Sequence, residues 1–215
     1  MTAEVQPLYP SRSGAGAQLG RQVYKYINPP TLVLGITPSG VEVAANVAQA
    51  MGCSFDVIVA AHVRLEGLGV VGALAEDSEV VLDPEFQPRF GVVEALDGAI
   101  DAARRAIKTE RLLFRGTREL RSVERQNVVI VDGHLTTAWK TLAAVEAIKG
   151  GDPAYIMVAA PVSTQPVHER IRARRLQFVC PSVLMDPAGH PRPFGDPQDP
   201  SAERLRSIVV AREAA

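Results

Sequence analysis

Apolar positions along this chain change their spacing repeatedly, and each change marks an element. Ala15, Leu19, Val23 and Tyr26 recur at helical spacing over residues 15–27, and Asn28-Pro29-Pro30 ends that helix sharply, so it is expected to cover an edge or face of a sheet. Residues 31–36, TLVLGI, form an unbroken apolar run of strand length. The turn Thr37-Pro38-Ser39-Gly40 follows, after which Val41, Ala44, Ala45, Ala48 and Met51 share one helical face and Gly52 is placed to stop it. Residues 55–61, FDVIVAA, read as the next strand, so 31–61 is one strand–helix–strand unit.

Residues 70–83, VVGALAEDSEVVLD, hold two strand-like runs hinged on Glu76-Asp77-Ser78, the pattern of a hairpin standing apart from a parallel sheet. Val92, Leu96, Ala99, Ile100, Ala103 and Ile107 then mark a long amphipathic helix. Its polar face grows basic, with eight Arg or Lys against three Glu between residues 104 and 125. That run is either a solvated helix and loop or a surface facing an anionic ligand or partner. Residues 128–131 are the third strand. Trp139, Leu142, Val145 and Ile148 form one side of a helix broken by Gly150-Gly151-Asp152-Pro153, and 155–162 is the fourth strand. A helix over 164–174 leads to a short strand at 177–180, six prolines within 181–201 predict an extended wrap, and 202–212 can close the chain as a helix.

Strands separated by helices of this length imply parallel pairing, hence an α/β fold with a doubly wound, mostly parallel sheet and a small hairpin. The expected divisions are a tail at 1–13, the α/β domain at 14–180 and the Pro-rich wrap with its helix at 181–215.

Composition narrows the class rather than the activity. Hydrophobic residues make up 47%, charged residues 22%, and the formal net charge of the 215 residues is −1, which is ordinary for a globular protein and carries no footprint for nucleic acid. Cys53 and Cys180 fit no disulfide framework and no Cys/His cluster, and read as small buried residues in a reducing, cytoplasmic setting. No run approaches the length of a membrane helix, and the first residues lack a basic start followed by an apolar stretch, so neither a membrane nor a targeting segment is expected.

In a sheet of this kind ligands bind beyond the carboxyl ends of the strands, where helix amino termini favour anions. Two loops qualify, each opening a helix: Thr37, Pro38, Ser39 and Gly40 after the first strand, and Asp132, Gly133, His134, Leu135, Thr136, Thr137 and Ala138 after the third. An acid at a strand end can accept hydrogen bonds from two sugar hydroxyls, and a turn carrying two threonine side chains beside its N–H groups can hold a phosphate. Together they suit a phosphorylated ribose.

The segment VVIVDGHLTTAWKTLAAVEAIK resembles the phosphoribosyl-pyrophosphate-binding motif of type I phosphoribosyltransferases, in which an apolar strand leads to two adjacent acids and a Gly/Thr-rich phosphate loop. LVLGITPSGVEVAANVAQAMGCSFDVIV is similar to that family's first strand, pyrophosphate loop, helix and second strand. VVGALAEDSEVVLD resembles the hood hairpin of a bacterial branch of uncertain substrate, and VAAPVSTQPVHERIR and FGDPQDPSAERLRSIV match the same branch, so the resemblance covers residues 14 to 210.

The departures fall where the family binds. Asp132 keeps the first acid, but Gly133 stands in place of the second. Thr37-Pro38-Ser39-Gly40 replaces a loop that usually reads Pro-Arg-Gly-Gly, and Ala61-His62 replaces Arg-Lys at the end of the second strand. His62 and Arg64 are the candidate substitutes for the missing cations. By resemblance, residues 132–138 would hold the phosphoribosyl group and residues 37–40 the pyrophosphate. No cofactor is expected, Mg²⁺ entering only with a diphosphate substrate.

Single residues carry two readings each. Asp132 is a ribose-binding acid or an N-cap for a helix starting near Thr137. His134 is an acid/base or anion ligand, or a loop histidine facing solvent. Trp139 stacks on a base or sugar, or fills space as a packing residue. A glycine-only backbone angle at Ala138 would spoil the phosphate loop. The expected function is a phosphoribosyltransferase-like protein with lost or weakened transfer, retaining at most a site for a phosphorylated ribose or nucleotide. Two rivals stand beside it. One is a working transferase in which Arg64 or a residue of the basic run supplies the cations; the other is a structural or subunit-interaction protein, for which the resemblance implies a homodimer.

Overall fold

The computed structural model describes residues 6–87, 92–185, 192–196 and 198–213. A five-stranded parallel sheet forms the centre, in the order β10 (Gln177–Val179), β8 (Tyr155–Ala159), β6 (Asn127–Val131), β1 (Thr31–Ile36) and β2 (Ser54–Ile58). Every residue of β1 is buried, as expected of a strand covered on both faces. Alternation sorts the two faces. Val33, Val57, Val129 and Val131 pack with helices α1 (Arg12–Val23), α2 (Val41–Met51) and α6 (Ala202–Glu213). Leu32, Leu34, Ile58, Val128 and Ile130 pack with α4 (Trp139–Lys149) and α5 (Gln165–Ala173). The sheet is thus covered by helices on both sides.

Three sequence expectations are corrected. The run 55–61 is two strands: β2 ends at Ile58, and β3 (Ala60–Leu65) turns into a second, antiparallel sheet. The break falls at Val59, whose N–H donates to a Glu76 carboxylate oxygen at 3.0 Å while its carbonyl accepts from the Glu76 N–H, also at 3.0 Å. These bonds replace the ladder that a continuous strand would need. The hairpin of 70–83 is real but incomplete, because β4 (Gly69–Ala75) pairs with β5 (Val81–Leu82) on one side and with β3 on the other. The missed turn between β3 and β4 contains Gly67 at φ 73°, a left-handed angle that glycine adopts without strain. The run 155–162 divides at Pro161. Its second part, β9 (Val162–Thr164), joins a small parallel sheet with β7 (His134–Leu135) and β11 (Ser182–Leu184), the last lying inside the Pro-rich tail.

The first helix starts and ends earlier than its apolar spacing suggests. Ser11 accepts the Gly14 N–H as N-cap, and Tyr26 lies beyond the helix, exposed. The long helix α3 (Val92–Arg115) extends eight residues past Ile107 and covers the antiparallel sheet through Leu96, Ala103 and Ile107. Its basic end is neither simply solvated nor simply a binding face. Arg115 is buried and paired with Glu76, and past the helix Arg118 holds Asp56 with bonds of 2.8 and 2.7 Å. Tyr9 bridges Phe194 of the Pro-rich segment, of which residues 186–191 and 197 lie outside the described residues.

Candidate functional site

Strands β1 and β6 are neighbours, with Gly35 opposite Val131, so the two candidate loops emerge side by side. They do more than adjoin. Ser39 Oγ donates to Asp132 Oδ1 at 2.5 Å, and the same oxygen accepts the Gly133 N–H at 2.7 Å. Asp132 is 3% exposed, so both bonds are made away from bulk water. A β-carbon on Gly133 would stand 2.3 Å from the Ser39 carbonyl oxygen, and one on Gly40 would stand 2.3 Å from the Val131 carbonyl oxygen. Only glycine allows these two approaches. The first loop therefore lies on the position where a second acid would sit.

Further contacts fasten that loop. Thr37 is fully buried; its hydroxyl donates to Glu110 at 2.7 Å, and Lys140 Nζ donates to its carbonyl at 3.1 Å. Nothing in the sequence singles out Lys140, since the second residue of a helix carries no distinguishing signal. Pro38 is exposed and Ser39 half-buried.

The second loop sorts into parts. Asp132 is not a cap, because α4 begins at Trp139 with Ala138 as its N-cap. Leu135 is buried core, and His134 pairs in β7 instead of facing solvent. The His134 Nε2 is buried without a hydrogen-bond partner among the described residues, and burial lowers its pKa against the opposing charges of Asp132 and Asp199. His134 borders a hollow of about 180 Å³ shared with Arg12, Ser39 and Asp199.

Thr136, Thr137 and Ala138 face a different cleft, about 340 Å³ in volume, whose lining also includes Thr164, Arg170 and Met185. Ala138 has φ −86°, an ordinary right-handed angle, so its β-carbon is no obstacle to the loop. No side chain caps α4, which leaves its first-turn N–H groups directed at the loop without a side-chain acceptor. Trp139 is 3% exposed and packs among Leu142, Ala143 and the β4 residues Ala73 and Ala75. The packing reading of Trp139 holds for its indole, with one addition: the guanidinium of Arg170 lies over the ring, 4.7 Å from its centre. Nothing in the sequence separates Arg170 from Arg172, Arg174 and Arg175 nearby.

His62 and Arg64 reach the same neighbourhood from β3. His62 Nε2 and Thr137 Oγ1 are 3.0 Å apart. Burial, then the charges of Lys140 and Arg64, push the His62 pKa down to about 4, outweighing Asp132, so the imidazole is neutral near pH 7 and supplies no cation there. Arg64 is exposed and makes no ion pair among the described residues. No group of three or more His, Cys, Asp or Glu suited to a metal ion occurs among the described residues.

No protein-family model matches the chain. Two curated proteins of Mycobacterium tuberculosis, from strains CDC 1551 and H37Rv, each named "Putative phosphoribosyl transferase", are 25% identical to it over 182 residues, 80% of this chain. The chain spans 40% of the length of these relatives. The crystal structure of TT1426 from Thermus thermophilus superposes with a TM-score of 0.79 at 27% identity, covering 94% of this chain and 98% of that one. The parallel sheet with its antiparallel hood and these likenesses agree with the motifs quoted above. The fold is shared with TT1426, and it agrees with the type I phosphoribosyltransferase family that the sequence resembles.

Proposed function

We propose that this protein binds a small phosphorylated ligand, a phosphorylated ribose or a nucleotide, at the mouth of β6, and that its capacity for phosphoribosyl transfer is lost or much weakened. The observation that carries the reading is the seating of Ser39 on Asp132 and Gly133. The retained acid already has a hydroxyl donor, and the second acid has no room. Two arginines and a lysine expected by resemblance are also replaced, by the sequences around Pro38 and His62. Hydrogen bonds to charged groups contribute about 1.5–3 kcal/mol each, so their joint loss weighs heavily against tight binding of Mg-phosphoribosyl pyrophosphate. The phosphate end of the site is the better preserved, with Thr136, Thr137 and the uncapped start of α4 lining an open cleft.

A second reading has one specific observation behind it. Lys140 puts a cation on the first loop at the Thr37 carbonyl, where a pyrophosphate leaving group would need it, and the exposed Arg64 adds a second close enough to His62 to lower its pKa. In a working transferase, a nitrogen nucleophile would bond to the anomeric carbon as the bond to pyrophosphate breaks, with these cations stabilising the departing charge.

Calorimetric titration separates the two. Ribose 5-phosphate or a nucleoside monophosphate should bind, while phosphoribosyl pyrophosphate with Mg²⁺ should bind no more tightly. Tight binding of the pyrophosphate compound that disappears in Asp132→Asn, with pyrophosphate released on adding an acceptor, would establish the transferase instead.

A further inference from the structure

Arg170 occupies an unusual position in the cleft of Thr136 and Thr137. Its guanidinium lies on the Trp139 ring, and that ring is fixed by burial at the first residue of α4. The indole thus acts as a shelf, holding a planar cation beside the uncapped helix start. The charge itself is loosely engaged. Its nearest acids are Asp83 at 3.5 Å and Glu85 at 3.6 Å, both from the segment following β5, and the Glu85 side chain is 84% exposed. Pairs this long contribute little where the acid is exposed, as at Glu85, and the contact with Asp83, whose side chain is 22% exposed, is the firmer of the two. A phosphate monoester, with two negative charges and oxygens spaced for a two-pronged contact, is a stronger partner for a guanidinium than either acid at these distances.

We infer that Arg170 is the anion-binding side chain of this cleft, and that on ligand binding it is handed over from the hood acids Asp83 and Glu85 to a terminal phosphate monoester. The inference rests on the reading that a phosphorylated ligand binds beside Thr136 and Thr137, and it adds the residue, the phosphate class and a link to the hood. A phosphodiester offers less charge and is the poorer ligand. Transfer of Arg170 cuts the tie between α5 and residues 83–85 without unseating the hood backbone, since the Asp83 N–H remains bonded to the Val71 carbonyl at 2.8 Å. Occupancy of the cleft is thereby communicated to the antiparallel sheet.

Trp139 is the single tryptophan of the chain, so its fluorescence reports on the shelf directly. Titration of the whole protein with ribose 5-phosphate should give a saturable change. Arg170→Met should weaken apparent affinity at least tenfold, with Arg170→Lys between the two. Asp83→Asn combined with Glu85→Gln removes the competitors and should tighten binding several-fold, an effect that a merely structural Arg170 would not produce. Asp152→Asn, a charge change in the turn before β8 at the opposite end of the strands, should leave affinity as it is. Equal affinity of wild type and Arg170→Met overturns the assignment and leaves the ligand reading standing. Unchanged or weaker affinity in the Asp83/Glu85 variant overturns the hand-over even if Arg170→Met fails to fold. No response of the wild type, by fluorescence or by calorimetry, overturns both.

Discussion

The carbonyl oxygen of Ser39 stands 2.3 Å from the place a β-carbon on Gly133 would occupy, so the backbone of the first loop excludes a side chain at the residue after Asp132. Glycine at 133 and the path of the first loop therefore go together.

Placing an acid at 133 alone should create no new binding. Gly133→Asp forces the Ser39 loop away from β6, an overpacking cost of about 1–3 kcal/mol. Denaturant unfolding should show that loss, and calorimetry should show no gain in affinity for Mg-phosphoribosyl pyrophosphate. A variant of unchanged stability that binds the compound would refute the exclusion.

Ser39→Ala removes one of two donors to a nearly buried carboxylate. A drop of about 1.5–3 kcal/mol in unfolding free energy is expected, the range for hydrogen bonds to charged groups. Water entering from the half-exposed Ser39 side would shrink it, and equal stability of variant and wild type would show that the bond contributes nothing.

Acid should destabilise the fold through His62. Its folded pKa of about 4 lies below the ordinary 6.5, so between these values the unfolded chain binds more protons than the folded one. Stability should fall as pH drops from about 6.5 toward 4, with burial first and then Lys140 and Arg64 opposing the imidazolium and Asp132 favouring it. Burial shifts His134 and His168 in the same direction. His62→Gln, which can still bond Thr137, should flatten the slope measured by chemical denaturation at stepped pH; an identical slope would count against the assignment.

The buried pair of Glu76 and Arg115 should be costly to halve and cheap to replace. Burial raises the Glu76 pKa even though the Val59 N–H and Arg115 both favour its carboxylate form. Arg115→Met strands that group, and breaking such a pair costs about 3–5 kcal/mol. Adding Glu76→Gln should recover much of it, because the amide oxygen can still accept from Val59. A double variant no more stable than Arg115→Met would show that the charge was not the problem.

Much of the sheet was readable because each central strand is a short unbroken run without charged residues ending at a turn or acid, as at residues 31–36 and 128–131. Periodicity failed where one apolar run serves two sheets. Nothing in FDVIVAA announces that Val59 will be held by Glu76, and nothing in YIMVAAPV announces the change of sheet at Pro161, since buried residues look alike whichever sheet they join. The helix limits near Tyr26 slipped for a related reason: the last apolar residue continued the period after the backbone had left the helix.

For this protein, the sequence alone determined the layered α/β architecture and the two loops at the strand ends, because burial on two faces and helix periodicity are written locally. The tertiary structure decided that Ser39 closes on Asp132, that His134 joins a strand and that Trp139 carries Arg170. Each of these pairs residues from separate elements. Its energy depends on distances that only the folded backbone sets.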